Sequence, residues 1–233
     1  MQTFFEWTGR PAESTVLVIA WASEEVRNTV AYYLELFTGA GFKVEVSASA
    51  PITYSERIDF IEQLSRADGV FFTGGDQNRT AAGFDFKDVK LALQTAYTNG
   101  TPFAGTSAGT AIMSMLMFTG KDDPEKLDEE NLHLREGLGF VPGVIFDQHF
   151  IKRMRQNRLF SAILHHPNLI GLGIDEGTGL EILDGKYCKV VGPEKVMRVA
   201  KQGSKRSLDV EIYHEGESFE LLPAKSSSTQ QAS

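Results

Sequence analysis

The hydrophobic positions near the start of the chain change from a continuous apolar run to a helical spacing. Residues 16–21 (VLVIAW) are all apolar, and residues 24–42 carry apolar side chains three and four positions apart before the pattern ends among glycines. A short apolar run is typical of a buried strand, whereas the wider spacing indicates an amphipathic helix. The pattern therefore predicts a strand followed by a helix.

The same alternation continues as far as residue 174. Strands that alternate with helices form a mainly parallel sheet covered on both faces, so the predicted fold class is α/β. Ser55 is the predicted N-cap of the second helix, and Pro167 stops the last one. The pattern predicts further strands at residues 43–47, 69–73, 101–105, 144–150 and 169–174, and helices at residues 55–67, 85–99, 108–117 and 152–166.

The pattern changes from Gly179 onward. Short apolar segments separated by Gly, Pro and Asp are typical of antiparallel strands, and they predict a C-terminal antiparallel extension at residues 180–183, 187–191, 196–200 and 210–213. Residues 225–233 are rich in Ser and Gln and are predicted to be disordered. No charge block or low-complexity segment divides the rest, which predicts a single domain over residues 1–224.

Composition excludes several classes of protein. Of the 233 residues, 42% are apolar and 23% are charged, and no run approaches the ~18 apolar residues of a membrane span. The opening residues lack the basic start and apolar core of a secretion signal, and one cysteine cannot form an intramolecular disulfide, so we expect a cytoplasmic protein without a membrane partner. A net charge of -8 disfavours a nucleic-acid partner and tolerates a cationic substrate.

The candidate chemistry begins at residues 105–109 (GTSAG), which lie between a predicted strand and a predicted helix. Gly-x-Ser-x-Gly in this context is the pattern of a nucleophile elbow, in which small flanking residues permit a sharp turn that exposes the Ser107 hydroxyl. The backbone N–H of Ala108 can then donate to an oxyanion. The alternative is that Ser107 is only a small residue in a tight corner.

A nucleophilic serine needs a base, and the chain has five histidines. His149 lies at the C-terminal end of the predicted strand at residues 144–150. The carboxyl ends of parallel strands form the functional edge of such a sheet. His165 and His166 close a helix, where interaction with the helix C-terminus explains them better. His149 is therefore the predicted base.

The base needs a carboxylate that orients its imidazole. Asp175 and Glu176 follow the predicted strand at residues 169–174 and should lie at the same edge. An ordinary α/β-hydrolase has its acid between serine and histidine, so the acidic segment after Gly120 offers rivals at Asp122, Asp123 and Glu125.

Two further segments are candidates for binding. Gly74 and Gly75 end a predicted strand, where backbone can approach a ligand closely, although a plain turn is the alternative; Gln77 adds an amide that can hold substrate. Lys152 and three arginines make the start of the next helix basic, which is unfavourable for the helix dipole. Arg155 and Arg158 share a helix face and can grip a carboxylate, or simply pair with surface acids.

These motifs resemble those of cyanophycinases and the related aspartyl dipeptidases of the S51 serine peptidase family. The resemblance covers about half of the chain, and the DQHF sequence followed by three spaced arginines is its most specific part. The matching segments are residues 71–77 (FFTGGDQ), 105–109 (GTSAG), 137–150 (GLGFVPGVIFDQHF) with Arg153, Arg155 and Arg158, and 173–176 (GIDE).

The resemblance implies a doubly wound α/β fold similar to class I glutamine amidotransferases and a Ser-His-Glu triad. In this chain the triad would be Ser107, His149 and Glu176. Gly75 and Ala108 would form the oxyanion hole. The resemblance assigns a peptide-substrate pocket to Gln77, Asp147, Gln148, Arg153, Arg155 and Arg158.

The implied activity is release of β-aspartyl-arginine dipeptides from cyanophycin, a polymer with an aspartate backbone and arginine side groups. The alternatives are a dipeptidase for small Asp-X peptides and a catalytically silent relative that binds an amino-acid-like ligand. The family also implies a homodimer, and we expect no metal ion or cofactor. The chain departs from the family pattern at Thr110, where alanine is usual, in the acidic segment of residues 120–136, and in lacking a Gly-Gly-rich first strand.

Overall fold

The computed structural model describes residues 1–123 and 125–221. The predicted disordered tail at residues 225–233 lies outside the described residues. A short helix, α1 (Gln2–Thr8), precedes the first strand and has no counterpart in the sequence prediction. In the part of the chain that the structure describes, no helix combines the length and the apolar character that crossing a membrane would require.

The first half of the chain forms a parallel four-stranded sheet with helices between its strands. The strand order is β2-β1-β3-β4, and every pairing in it is parallel. The strands are β1 (Thr15–Ile19), β2 (Lys43–Ser47), β3 (Gly69–Phe72) and β4 (Phe103–Gly105). The helices are α2 (Val26–Gly39), α3 (Tyr54–Ser65), α4 (Gln77–Phe84) and α5 (Lys87–Thr98).

Apolar side chains cover both faces of this sheet. Alternate residues of a strand point to opposite faces. On one face, residues such as Leu17 and Phe72 pack with side chains of α3 to α5, including Phe60. On the other face, Val18 and Phe71 belong to a cluster completed by α1 and α2. The continuous apolar runs of β1 and β3 are therefore explained by burial on both sides, as predicted for an α/β fold.

The second half of the chain is built on the parallel pair β7 (Val144–Gln148) and β8 (Ile170–Ile174), joined by α7 (Gln156–His165). β11 (Val196–Gln202) and β12 (Ser207–Tyr213) continue this sheet with antiparallel pairings, in the order β12-β11-β8-β7. A separate antiparallel sheet contains β9 (Gly179–Leu183), β10 (Tyr187–Val191) and β13 (Ser218–Glu220).

The structure differs most clearly from the predicted helices at residues 108–117, at the start of the last helix and in the acidic segment. The helix predicted at residues 108–117 is only α6 (Ala108–Ala111), because its second half includes strand β5 (Leu116–Phe118), which pairs with β6 (Leu134–Glu136). The helix predicted from residue 152 begins at Gln156, after a turn in which Met154 has a positive φ of 50°. A 3-10 helix (Glu129–Asn131) lies in the acidic segment.

The cap predicted at Ser55 is wrong. The N-cap of α3 is Thr53, whose hydroxyl accepts the N–H of Glu56 while the Glu56 carboxylate accepts the N–H of Thr53. This reciprocal capping box satisfies two backbone donors that the first turn of a helix leaves free, which a cap at Ser55 could not do with the residues that follow it.

Candidate active site

Ser107 lies in a sharp turn between β4 and α6. Its backbone has a φ of 51° and a ψ of -113°, a region that L residues rarely adopt and that often marks a functional site. A Cβ atom on Gly105 would lie 2.5 Å from the Gly109 carbonyl oxygen, and one on Gly109 would lie 2.4 Å from the Phe72 carbonyl oxygen. The two glycines are therefore required for the close packing that holds this turn.

His149 and Glu176 approach the same point from two neighbouring strands. His149 follows β7 with a φ of 53°, and Glu176 lies two residues after β8. Because β7 and β8 are parallel and adjacent, their carboxyl ends lie at one edge of the sheet. The strand positions thus bring together residues that are 27 positions apart in the sequence.

The three side chains form one hydrogen-bonded row. The Ser107 Oγ atom lies 2.9 Å from His149 Nε2, and His149 Nδ1 lies 2.9 Å from Glu176 Oε1. With the proton on Nδ1, that N–H donates a hydrogen bond to Glu176 and Nε2 is free to accept the proton of the Ser107 hydroxyl. Chemically, this arrangement can raise the nucleophilicity of the serine and stabilise the imidazolium that forms.

Glu176 is ionised more readily than an ordinary glutamate. A hydrogen bond from Lys152, 2.5 Å from Glu176 Oε2, is the main cause that holds the pKa of Glu176 below its usual range, and the hydrogen bond with His149 adds to it. A carboxylate that stays charged accepts a hydrogen bond from His149 Nδ1 more strongly than a neutral acid would.

Backbone donors adjoin the row. Helix α6 begins at Ala108, so the Ala108 N–H is a first-turn donor without an acceptor inside the helix. Gly74 packs against the serine, since a Cβ atom on it would lie 3.3 Å from Ser107 Cβ. Gly75 has a φ of 137°, and a Cβ there would lie 2.1 Å from the Ala22 carbonyl oxygen, so this turn accepts only glycine.

A cleft of about 800 Å³ opens at the row and is lined by Ser107, His149 and Glu176. Its apolar wall includes Phe103 and Phe140, and its polar wall includes Gln148, Asp175 and Glu181. The volume lies in the range that small-molecule and short-peptide ligands occupy. A ligand in this cleft would contact the serine directly.

Asp147 is completely buried and binds two of the three predicted arginines. Its Oδ2 atom accepts from Arg158 Nε at 2.7 Å, and its Oδ1 atom accepts from Arg158 Nη2 and from Arg155 Nη1, the latter at 3.2 Å. Burial raises the pKa of Asp147 against the opposing effect of both guanidinium groups, and burial lowers the pKa of Arg155 to about 10. These residues form an internal network between β7, which carries Asp147, and the turn and helix that follow it.

The remaining residues predicted to bind substrate are divided between the cleft and other contacts. Gln148 lines the cleft, and its Oε1 atom accepts from Arg155 Nη1 at 2.7 Å. The amide nitrogen of Gln77 donates to the Phe118 carbonyl oxygen at 2.7 Å, and Arg153 is exposed in the turn after His149. Within the described part of the chain, the residues lining the cleft include neither Gln77 nor any of the three predicted arginines.

Two of the three rival acids in the segment after Gly120 have other partners, and the third, Glu125, is exposed. The buried side chain of Asp122 accepts from Arg158 Nη1 at 3.3 Å and from the His133 backbone N–H at 2.8 Å. Asp123 accepts from the Glu125 N–H. Asp122 thus connects the acidic segment to the Asp147 network, a contact that no sequence pattern indicated.

Among the residues described by the structure, no three or more His, Cys, Asp or Glu side chains are grouped so that they could hold a metal ion.

Thr110, which departs from the resemblance, has a structural role beside the serine. Its hydroxyl donates to the Gly105 carbonyl oxygen at 2.8 Å and closes the turn from the far side. Replacement by valine keeps the shape but leaves this partly buried carbonyl without its partner. We expect Thr110→Val to lower the free energy of unfolding by about 1 to 2 kcal/mol in chemical denaturation.

Thr98→Val is the matched control for that measurement. The Thr98 hydroxyl also donates to a carbonyl oxygen at 2.8 Å, that of Gln94, but on an exposed helix surface where water can replace it. We expect a change of about 0.5 kcal/mol or less. Equal losses in the two variants would contradict the role given to Thr110.

Comparison with known proteins places this chain in a family. Residues 1–190 match the family model described as Peptidase family S51. A cyanophycinase from Trichormus variabilis is 32% identical over 220 residues, which are 93% of this chain and 70% of the relative. A peptidase E from Streptomyces coelicolor is 28% identical over 63% of this chain and 60% of the relative.

Among solved structures, a peptidase from an acI-B1 Actinobacterium is similar with a TM-score of 0.67 and 21% identity, covering 88% of this chain and 83% of that one. This likeness concerns the fold alone. The family match and the curated relatives identify the chain as a peptidase homologue. Its architecture is α/β. The chain belongs to peptidase family S51.

Proposed function

We propose that this protein is a cyanophycinase-like serine exopeptidase that hydrolyses aspartyl peptide bonds. The observation that carries the proposal is the hydrogen-bonded row of Ser107, His149 and Glu176 at the mouth of the cleft. The turn at Ser107 serves as a nucleophile elbow. The similarity to cyanophycinases supports β-aspartyl-arginine release from cyanophycin as the reaction.

The reaction proceeds through an acyl-enzyme. His149 Nε2 accepts the hydroxyl proton of Ser107 while the serine oxygen attacks the carbonyl carbon of the aspartyl peptide bond. The backbone N–H groups of Ala108 and Gly75 stabilise the resulting oxyanion. His149 then donates its proton to the leaving amine, the C–N bond breaks, and a water activated by the same imidazole hydrolyses the ester and restores Ser107.

The acidic residues of the cleft favour binding of a substrate that carries guanidinium groups. Asp175 and Glu181 line it, and an acidic chain favours the approach of a cationic polymer. Gln148 contacts the substrate from the end of β7. Asp147, Arg155 and Arg158 act from behind this strand, because their charged groups already bind one another.

Two other functions remain as alternatives. A dipeptidase for small Asp-X peptides uses the same row, and the similarity to a peptidase E supports it. A catalytically silent relative that binds an amino-acid-like ligand would use the cleft without the serine.

We further infer a doubly wound sheet like that of glutamine amidotransferases, a C-terminal antiparallel extension, a homodimer and a cytoplasmic location.

Product analysis separates these functions. The purified protein is incubated with cyanophycin and, separately, with Asp-X dipeptides, and the products are identified by mass spectrometry. We expect β-aspartyl-arginine from cyanophycin in the wild type and none with Ser107→Ala. Hydrolysis of dipeptides alone would favour the second function, and hydrolysis of neither substrate would contradict both enzymatic proposals.

A further inference from the structure

Lys152 contacts the Glu176 carboxylate on the side that His149 leaves free. Its Nζ atom lies 2.5 Å from Glu176 Oε2, while His149 Nδ1 lies 2.9 Å from Oε1. The two donors thus occupy both oxygens of the acid. Within the described part of the chain, they are the only side-chain partners of this carboxylate.

Backbone hydrogen bonds join the turn that carries Lys152 to His149 and to the end of β8, which precedes Glu176. The Arg153 N–H donates to the His149 carbonyl oxygen at 3.0 Å, and the Arg155 N–H donates to the Phe150 carbonyl oxygen at 3.0 Å. The Phe150 N–H donates to the Ile174 carbonyl oxygen at the end of β8, two residues before Glu176. One hydrogen-bonded turn therefore presents both His149 and Lys152 to the acid.

Exposure makes a second partner important for this acid. The Glu176 side chain is 41% exposed and no backbone donor of the described residues binds its carboxylate, so packing restricts the rotation of that carboxylate only in part. Water would otherwise compete with His149 for the carboxylate oxygens. An ion pair on the far oxygen limits that rotation and keeps the near oxygen toward the imidazole.

We propose that Lys152 is a positioning residue that holds Glu176 in the orientation that His149 requires. This inference rests on the proposed function, since it concerns the reactivity of Ser107. Lys152 acts through the glutamate and not on the substrate. Its loss therefore lowers the rate at which Ser107 reacts and leaves substrate affinity unchanged.

The test is the rate at which a neutral fluorophosphonate labels Ser107, followed by mass spectrometry. A neutral probe makes no use of a cationic side chain for binding. We expect Lys152→Met to label about threefold to fivefold more slowly than the wild type, the range for a largely exposed ion pair, and Lys152→Arg to restore most of the rate. Lys87→Met, which removes an exposed lysine from the start of α5, should label at the wild-type rate.

The labelling rate in a protein that lacks Glu176 distinguishes a positioning role of Lys152 from a general effect of its charge. In a Glu176→Ala protein, adding Lys152→Met should change the labelling rate no further, because the lysine has lost the group through which it acts. With peptide substrate, Lys152→Met should lower kcat and leave KM unchanged. A rise in KM with an unchanged kcat would overturn the inference and assign Lys152 to direct substrate binding.

Failure of the inference differs from failure of the proposed function. Equal labelling of the wild type and Lys152→Met would overturn the positioning role alone. An undiminished effect of Lys152→Met in the Glu176→Ala background would do the same. Absence of labelling in the wild type would overturn the proposed serine chemistry, and the inference with it.

Discussion

Replacing Ser107 with alanine is expected to reduce hydrolysis of an aspartyl peptide by about 10⁴-fold or more in kcat, measured by product formation under saturating substrate. The hydroxyl oxygen is 2.9 Å from His149 Nε2, and it is the atom that forms the covalent bond in the proposed reaction. Without it, His149 and Glu176 have no nucleophile to activate. The remaining rate would come from substrate binding and the oxyanion donors alone.

Non-additivity makes this prediction specific. A Ser107→Ala/His149→Ala protein should be no slower than Ser107→Ala, because residues that act as one unit lose their joint contribution when either is removed. Ser204→Ala, at an exposed turn between β11 and β12, should retain wild-type kcat. Additive losses at Ser107 and His149 would mean that the two do not act as one unit.

Ligand binding and hydrolysis, measured together, distinguish an enzyme from a silent relative. Ser107→Ala removes only one small group from a cleft of about 800 Å³, so a product dipeptide should bind it about as well as it binds the wild type in calorimetry. A silent relative would also retain binding, but its wild type would never hydrolyse a peptide. Hydrolysis that persists at the wild-type rate in Ser107→Ala would exclude the serine as nucleophile.

Hydrophobic pattern was sufficient to predict most strands of this fold. Residues 43–47 were predicted as a strand with the bounds that β2 has in the structure, and β8 differs by one residue. β8 is a continuous apolar run because it is a parallel strand buried on both faces, whereas β2 is an edge strand in which valines alternate with polar residues. The same rule predicted that His149 and Glu176 lie at one edge, because both follow such strands.

Pattern was insufficient where long-range pairing overrides local preference. Residues 108–117 are apolar enough for a helix, yet Leu116–Phe118 pairs with Leu134–Glu136 as strands β5 and β6. That pairing depends on a second segment about 18 positions away, which a local window does not include. Helix α4 was missed for the opposite reason, since its first half is polar and its start depends on the Asp76 side chain accepting the Asn78 N–H.

Burial of charged residues was also hidden from the sequence. The spacing of Arg155 and Arg158 predicted a shared helix face, but charge alone favoured exposed surface, and substrate contact was implied only by the family resemblance. In the structure, Arg158 is 4% exposed and its guanidinium binds Asp147 and Asp122. An acid eleven residues before an arginine has no distinguishing local pattern, so only the packing of α7 against the sheet that contains β7 reveals the partnership.

Arg158→Met is expected to lower the free energy of unfolding by about 3 to 5 kcal/mol in chemical denaturation, because removing one partner leaves a buried charge without compensation. Asp147 is completely buried and would keep only Arg155, at 3.2 Å. The stacking of the Arg158 guanidinium on Phe118, 4.5 Å from the ring centre, would be lost as well. Arg153→Met, in the exposed turn nearby, should change stability by about 0.5 kcal/mol or less.

The pH dependence of this loss identifies its cause. Burial already raises the pKa of Asp147, and loss of the Arg158 guanidinium, which opposes that effect, raises it further. A raised folded-state pKa means that ionisation costs stability as the pH rises, so the deficit of Arg158→Met should shrink as the solution is acidified and Asp147 becomes neutral. Adding Asp147→Asn to Arg158→Met should recover part of the loss at neutral pH. A deficit that is independent of pH and unaffected by Asp147→Asn would assign it to lost packing of the arginine stem instead of to the stranded carboxylate.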